Sequence, residues 1–140
     1  MQCQIKNNIE FQNITRCGVM FTEEAEGGIK DEKDKSRTTG ITIIQTSYGH
    51  NEGVVNSIVP VDTYYIDNLS NIYKVVRPKS FRLAAQAGTN DLQRIQNFKY
   101  MMEKQAIDDN AIISLKIIGI ILEKLYMMPM DVEFVIDIHN

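Results

Sequence analysis

Apolar positions alternate along the first half of the chain, and the period lengthens near residue 90. Cys3 and Ile5, Ile9 and Phe11, and Val19 and Phe21 are spaced by two, so each pair faces one side of a strand. Asn7-Asn8 and Cys17-Gly18 read as turns between them. "GITIIQTSYG" over 40–49 predicts a strand through Ile41, Thr42 and Ile43, with "SYGHNEG" an exposed turn after it. "VVNSIVPVDTYYI" over 54–66 predicts another, with Pro60 at a bulge or sheet edge because proline cannot donate to the ladder. "DNLSN" over 67–71 then forms a hairpin loop into "IYKVV", since aromatic and β-branched residues stand on both arms with turn formers between.

From Asn90 onward, Leu92, Ile95, Phe98 and Met102 fall three to four apart, which predicts an amphipathic helix of roughly 15 residues. Thr89 or Asn90 would cap it, with Asp91 in its first turn. Asp108-Asp109 offers a second cap, opening a helix that is apolar nearly all round through Ile112, Leu115, Ile117, Ile118, Ile121 and Leu125. A helix with so narrow a polar strip needs cover on more than one side. A single sheet covers one side only, so a second subunit is expected, giving a dimer or higher symmetric oligomer. Pro129 stops this helix, and Val132, Phe134, Ile136 and Ile138 alternate with Asp131, Glu133 and Asp137 as a last strand with one buried face.

The order of strands, two helices and a strand implies an α+β domain. Its sheet is mainly antiparallel, two consecutive helices of the C-terminal half pack on one face, and a short strand ends it. The 140 residues fit one domain, 1–140. Within it, the stretch from about 22 to 40 alternates charge sign around Gly27-Gly28 and reads as a solvated, mobile loop.

Composition narrows the function mainly by exclusion. With 15 basic and 18 acidic residues the net charge is −3, so general nucleic-acid binding and attachment to anionic membranes gain no support. The apolar run Ile117 to Leu122 is far short of a membrane span, and no charged leader followed by an apolar run opens the chain, so a cytoplasmic protein is expected. Two cysteines, Cys3 and Cys17, are too few for a disulfide framework or zinc site; both read as reduced thiols, though a bridge is conceivable if their strands pair.

Catalytic signatures are missing: the sequence has no Gly-Lys-Ser/Thr phosphate loop, Gly-x-Gly-x-x-Gly, Cys-x-x-Cys or His-Glu-x-x-His. Only His50 and His139 could act as imidazole bases. His50, with Glu52 two residues on, suits proton transfer but is more simply a solvated loop side chain. His139 stands beyond Asp131, Glu133 and Asp137 on the last strand, a pattern for weak surface metal binding at most. No metal or cofactor is expected.

The remaining candidate is "RPKSFRLAAQAGTND" over 77–91. Arg77, Lys79 and Arg82 bring cations together around Phe81, and Thr89 and Asn90 open the expected helix, whose free N–H groups attract anions. Arg77, Arg82 and that backbone could hold a phosphate while a flat ring stacks on Phe81 and Asn90 reads a polar edge. The plainer reading is a solvated turn at Arg77 and Lys79, with Phe81 and Leu83 tucked into the core. The expectation drawn is a non-enzymatic, self-associating small protein that sequesters or senses a phosphate-bearing, nucleotide-like molecule. The alternative is a protein-interaction module, such as an inhibitor, immunity protein or chaperone, using its sheet edge and exposed tyrosines and methionines.

Overall fold

Strand register explains why alternate residues of the first half separate into two sets. The computed structural model describes residues 14–23 and 40–137. The expected strands around Ile5 and Phe11, Cys3, most of the 22–40 loop, Ile138 and His139 lie outside the described residues. β1 (Arg16–Glu23) pairs antiparallel with β2 (Ile41–Tyr48) on one side and with the last strand, β7 (Met130–Ile136), on the other. β3 (Asp62–Ile66) and β4 (Ile72–Val75) extend the sheet as the expected hairpin, giving the order β4-β3-β2-β1-β7. Asp67 closes that hairpin: its Oδ1 accepts from the Leu69 and Asn71 N–H groups, each at 2.9 Å.

Because directly paired residues share a face, Met20, Ile44, Tyr64 and Val132 fall on one side of the sheet. There they meet Ile112 and Leu115 of α3 (Asp109–Tyr126), forming the main core. Asp108 caps this helix as expected, its side chain accepting from Ala111 N at 2.7 Å. Gly119 brings helix and sheet together, for a Cβ there would lie 2.7 Å from Thr22 Cγ2 and 3.2 Å from Met20 Cε. Met127 ends the helix in the left-handed region at φ 56°, two residues before Pro129.

The α+β class, the mainly antiparallel sheet, the packed helix and the final strand all hold, while four local expectations do not. Residues 90–103 form no single helix: β6 (Leu92–Gln96) pairs with β5 (Phe81–Ala85) in a separate two-stranded arm, followed by one turn, α2 (Lys99–Met102). The 54–66 stretch is not one strand, because a helical turn, α1 (Glu52–Val55), precedes a bend where Ser57 takes φ 56°. Cys17 and Gly18 lie inside β1, with Phe134 laid so closely over Gly18 that a Cβ would meet its ring at 2.5 Å. Tyr48 is fully buried rather than part of an exposed turn, and its hydroxyl donates to Met101 O at 3.1 Å.

The helix also turns an unexpected side inward. Lys116, one of the few charged residues of this apolar helix, is buried and donates to Asp67 O at 2.6 Å and Ser70 Oγ at 3.2 Å. Ile117, Ile118, Ile121 and Leu125 face outward instead, 48 to 70% exposed. No helix among the described residues is long and apolar enough to cross a membrane.

Candidate functional site

The sheet face away from α3 is open over much of its area. Across three strands the register aligns Gln45, Val19 and Glu133 in one row, and Ile43, Phe21 and Asp131 in the next. α1 overhangs one end of these rows, and Val54, Val55 and Ser57 wall a cleft of about 350 Å³ whose floor is Val19, Phe21 and Gln45. Asp131 and Glu133 form its rim on β7, both exposed, while Gln45 is half-buried. Three oxygen-bearing side chains thus converge on an apolar floor. Periodicity marked Asp131 and Glu133 as sharing a face, but their meeting with Gln45 depends on β7 returning to pair with β1, a contact between residues more than a hundred positions apart.

Beneath the same end of the sheet, Cys17 is a fully buried thiol whose Sγ lies 3.8 Å from Ser47 O. Burial pushes its pKa up to about 12, so it is neither a nucleophile nor a ready metal ligand at neutral pH. Tyr48 is likewise raised to about 12, by burial first, with the Arg16 guanidinium acting in the opposite direction. Arg16 stacks over that ring, 5.2 Å from its centroid, and donates through Nε to Ala106 O at 3.2 Å and through Nη1 to Ile14 O.

The residues expected to form a phosphate cradle are scattered. Lys79 is completely buried in an ion pair with Asp62 at 2.6 Å and has no access to a solvent-borne ligand. Arg77 is exposed, and its backbone N–H also binds Asp62. Phe81 is half-buried against the cluster of Cys17, Val54, Val59 and Leu83, with the Arg94 guanidinium over its ring at 4.6 Å. Arg82 donates to Asn97 Oδ1 at 2.9 Å and lines a cleft of about 300 Å³ with His50, Thr15 and Leu83. Thr89 and Asn90 sit at the exposed tip of the β5–β6 arm, where Thr89 N bonds Gln86 O and its hydroxyl accepts from Asp91 N. No helix begins there, so the helix N–H groups invoked for anion binding do not exist at this position. Gly88 at φ +80° makes residues 86–91 a hairpin loop.

His50 is exposed on the other wall of the arm cleft, its Nδ1 accepting from Glu52 N at 3.2 Å. Among the described residues no group of three or more His, Cys, Asp or Glu side chains could hold a metal ion.

Over residues 4–140 the sequence matches the family described as pyruvate phosphate dikinase, AMP/ATP-binding domain. A probable phosphoenolpyruvate synthase of Methanocaldococcus jannaschii is 31% identical over 125 residues, covering 87% of this chain and 10% of the relative. Another probable phosphoenolpyruvate synthase, from Archaeoglobus fulgidus, is 28% identical over 127 residues, covering 89% of this chain and 15% of the relative. The chain therefore spans only a small part of the length of these relatives. These likenesses overturn the expectation of a non-enzymatic sequestering, sensing or interaction protein, and they point to an enzyme-related, nucleotide-binding domain. No compact loop signature announces such a site, because the candidate groups Gln45, Asp131 and Glu133 stand singly at separate positions on two strands. The expected phosphate-bearing small molecule does fit a nucleotide-binding domain.

Proposed function

Because the chain belongs to that AMP/ATP-binding domain family, we propose that it is the nucleotide-handling part of a phosphoryl-transfer enzyme of the phosphoenolpyruvate synthase kind. The nucleotide lies on the open sheet face, its phosphates toward Gln45, Asp131 and Glu133 and its ring over Val19 and Phe21. The observation that supports this reading is the row of Gln45, Val19 and Glu133, aligned by register across three strands beside a cleft of matching size. Carboxylates repel bare phosphates, so a triphosphate reaches this rim with a divalent cation. Carboxylate and amide oxygens are the hard donors such a cation takes.

Calorimetric titration with ATP, with and without magnesium, tests the placement. Glu133→Gln and Gln45→Leu are each expected to weaken magnesium-dependent binding at least tenfold, and Arg82→Ala to leave it unchanged. Loss of binding in Arg82→Ala with full binding in Glu133→Gln would move the nucleotide to the arm cleft, near the residues first expected from the sequence.

We further infer that a second copy of this chain covers the outer face of α3. Ser114, Ile118, Ile121, Leu125 and Met128 run along it at four- and three-residue steps, the spacing with which one helix meets another. Ile117, Ile118, Ile121, Leu125 and Met128 are each 48 to 70% exposed, a contiguous apolar stripe of the kind that marks an interaction surface rather than scattered surface hydrophobics. An antiparallel copy centred on Ile121 sets Lys124 against Ile118 and Leu125 against Ile117, so like charges do not meet. Sedimentation velocity at tens of micromolar should give a dimer, and Ile121→Lys with Leu125→Lys a folded monomer. A wild-type monomer at that concentration would refute the pairing.

A further inference from the structure

Asp62 is fully buried on β3, yet it belongs to three separate parts of the chain at once. Its Oδ1 accepts from Lys79 Nζ at 2.6 Å and from Arg77 N at 3.2 Å, both in the segment leading into β5. Its Oδ2 accepts from Tyr64 OH at 3.0 Å and from Ala106 N at 2.8 Å, the latter three residues before the α3 start. A carboxylate so placed has its acceptor capacity filled, which is the condition under which a buried charge is tolerated.

The arm's base is tied to the same point. Lys79 Nζ also donates to Arg77 O at 3.0 Å, and Lys79 N donates to Met102 O at 2.8 Å. Buried Asn97, where the arm's second strand ends, donates through Nδ2 to Lys79 O at 2.8 Å and through its backbone N–H to Ser80 O at 2.9 Å. Both ends of the arm therefore converge on Lys79, and Lys79 converges on Asp62. Farther out the arm is held by the Leu83 side chain, packed with Val54, Val59 and Cys17, and by His50 N donating to Leu83 O at 2.8 Å. Its tip touches nothing of comparable burial.

We propose that Asp62 couples the β5–β6 arm to the start of α3, one oxygen holding the arm's base and the other the lead into the helix, so that displacement of either is transmitted to the other. The arm walls the cleft that contains Arg82 and His50, and α3 carries the outward apolar face, so the carboxylate links the two surfaces of the domain most able to meet other molecules.

Site-resolved amide hydrogen exchange on the full chain tests the coupling. Lys79→Met removes a group that does not touch Ala106. Coupling requires that exchange rise at least tenfold both at arm amides such as Leu83 and at Ala106, while Met20 and Ile44 on the central strands stay within about twofold. Asn97→Ala, a milder cut that frees only the arm's base, should give the same pattern at smaller amplitude should Lys79→Met fold poorly. A rise confined to the arm would overturn the proposal, and so would an equal rise in β1 and β2, which would make Asp62 an ordinary part of the core.

Discussion

On the α3 side of the five-stranded sheet, Met20, Ile44, Tyr64 and Ile66 are fully buried, whereas the residues one position along, Val19, Phe21 and Ile43, stay only half-buried and Tyr65 is 38% exposed. The same strands supply both sets, and the two sides differ in what lies over them. An 18-residue helix closes one side, while the other is covered at one end only, by a single helical turn and Leu83 of the arm. Burial on the closed side removes apolar area from water and so contributes to stability; the open side gives up that contribution and keeps oxygen-bearing side chains within reach of a solute.

This contrast is sharpest for core truncation. Ile112→Ala, which empties a fully buried position beneath α3, is expected to cost about 2–5 kcal/mol in urea unfolding. Replacing Lys116 by methionine should cost about 1–3 kcal/mol, because Asp67 O loses a buried donor. Gly119→Ala sets a better helix former, worth about 1 kcal/mol, against overpacking worth about 1–3 kcal/mol. With Thr22 Cγ2 only 2.7 Å from the new methyl, a net loss of about 1 kcal/mol is expected in the same assay.

Alkaline titration probes the boundary between the two sides. Cys17 and Tyr48 both have folded pKa values raised to about 12, so their contribution is intact below the unfolded values near 9 and 10 and is lost as pH climbs toward 12. The unfolding midpoint should therefore fall across that window, and Cys17→Ala should flatten the fall. Smallest of all in stability is Glu133→Gln, expected within about 0.5 kcal/mol of the parent because the carboxylate is exposed. A large stability loss there would break the contrast by making the rim structural.

The sequence made several strands legible because each has one face on the core. β2, β3 and β7 alternate for that reason, and Asp108 announces the start of α3 through a cap. β6 was misread because its half-buried residues, Leu92 and Ile95, are three apart and lie on opposite faces of a two-stranded arm that is fully covered on neither. That spacing imitates a helix, although the Gly88-Thr89-Asn90-Asp91 cluster does carry a hairpin signal. The bend at Ser57 was hidden by surrounding valines and isoleucines, which suit a strand in isolation. The candidate nucleotide face was illegible because Gln45 and Glu133 are ordinary residues until long-range pairing puts them side by side. The inward turn of Lys116 was hidden too, since the Asp67 carbonyl and Ser70 hydroxyl of the β3–β4 hairpin together make a buried amine tolerable there.

The position of β1 between β2 and β7 has a kinetic corollary. Its two ladders fix which side Gln45 and Glu133 present, and a slip of one residue in either would invert one strand and send a side chain from the rim into the oily layer. Ligand competence and correct strand pairing should then arrive in a single step during folding, so refolding followed by nucleotide fluorescence and by intrinsic tyrosine signal ought to trace the same time course.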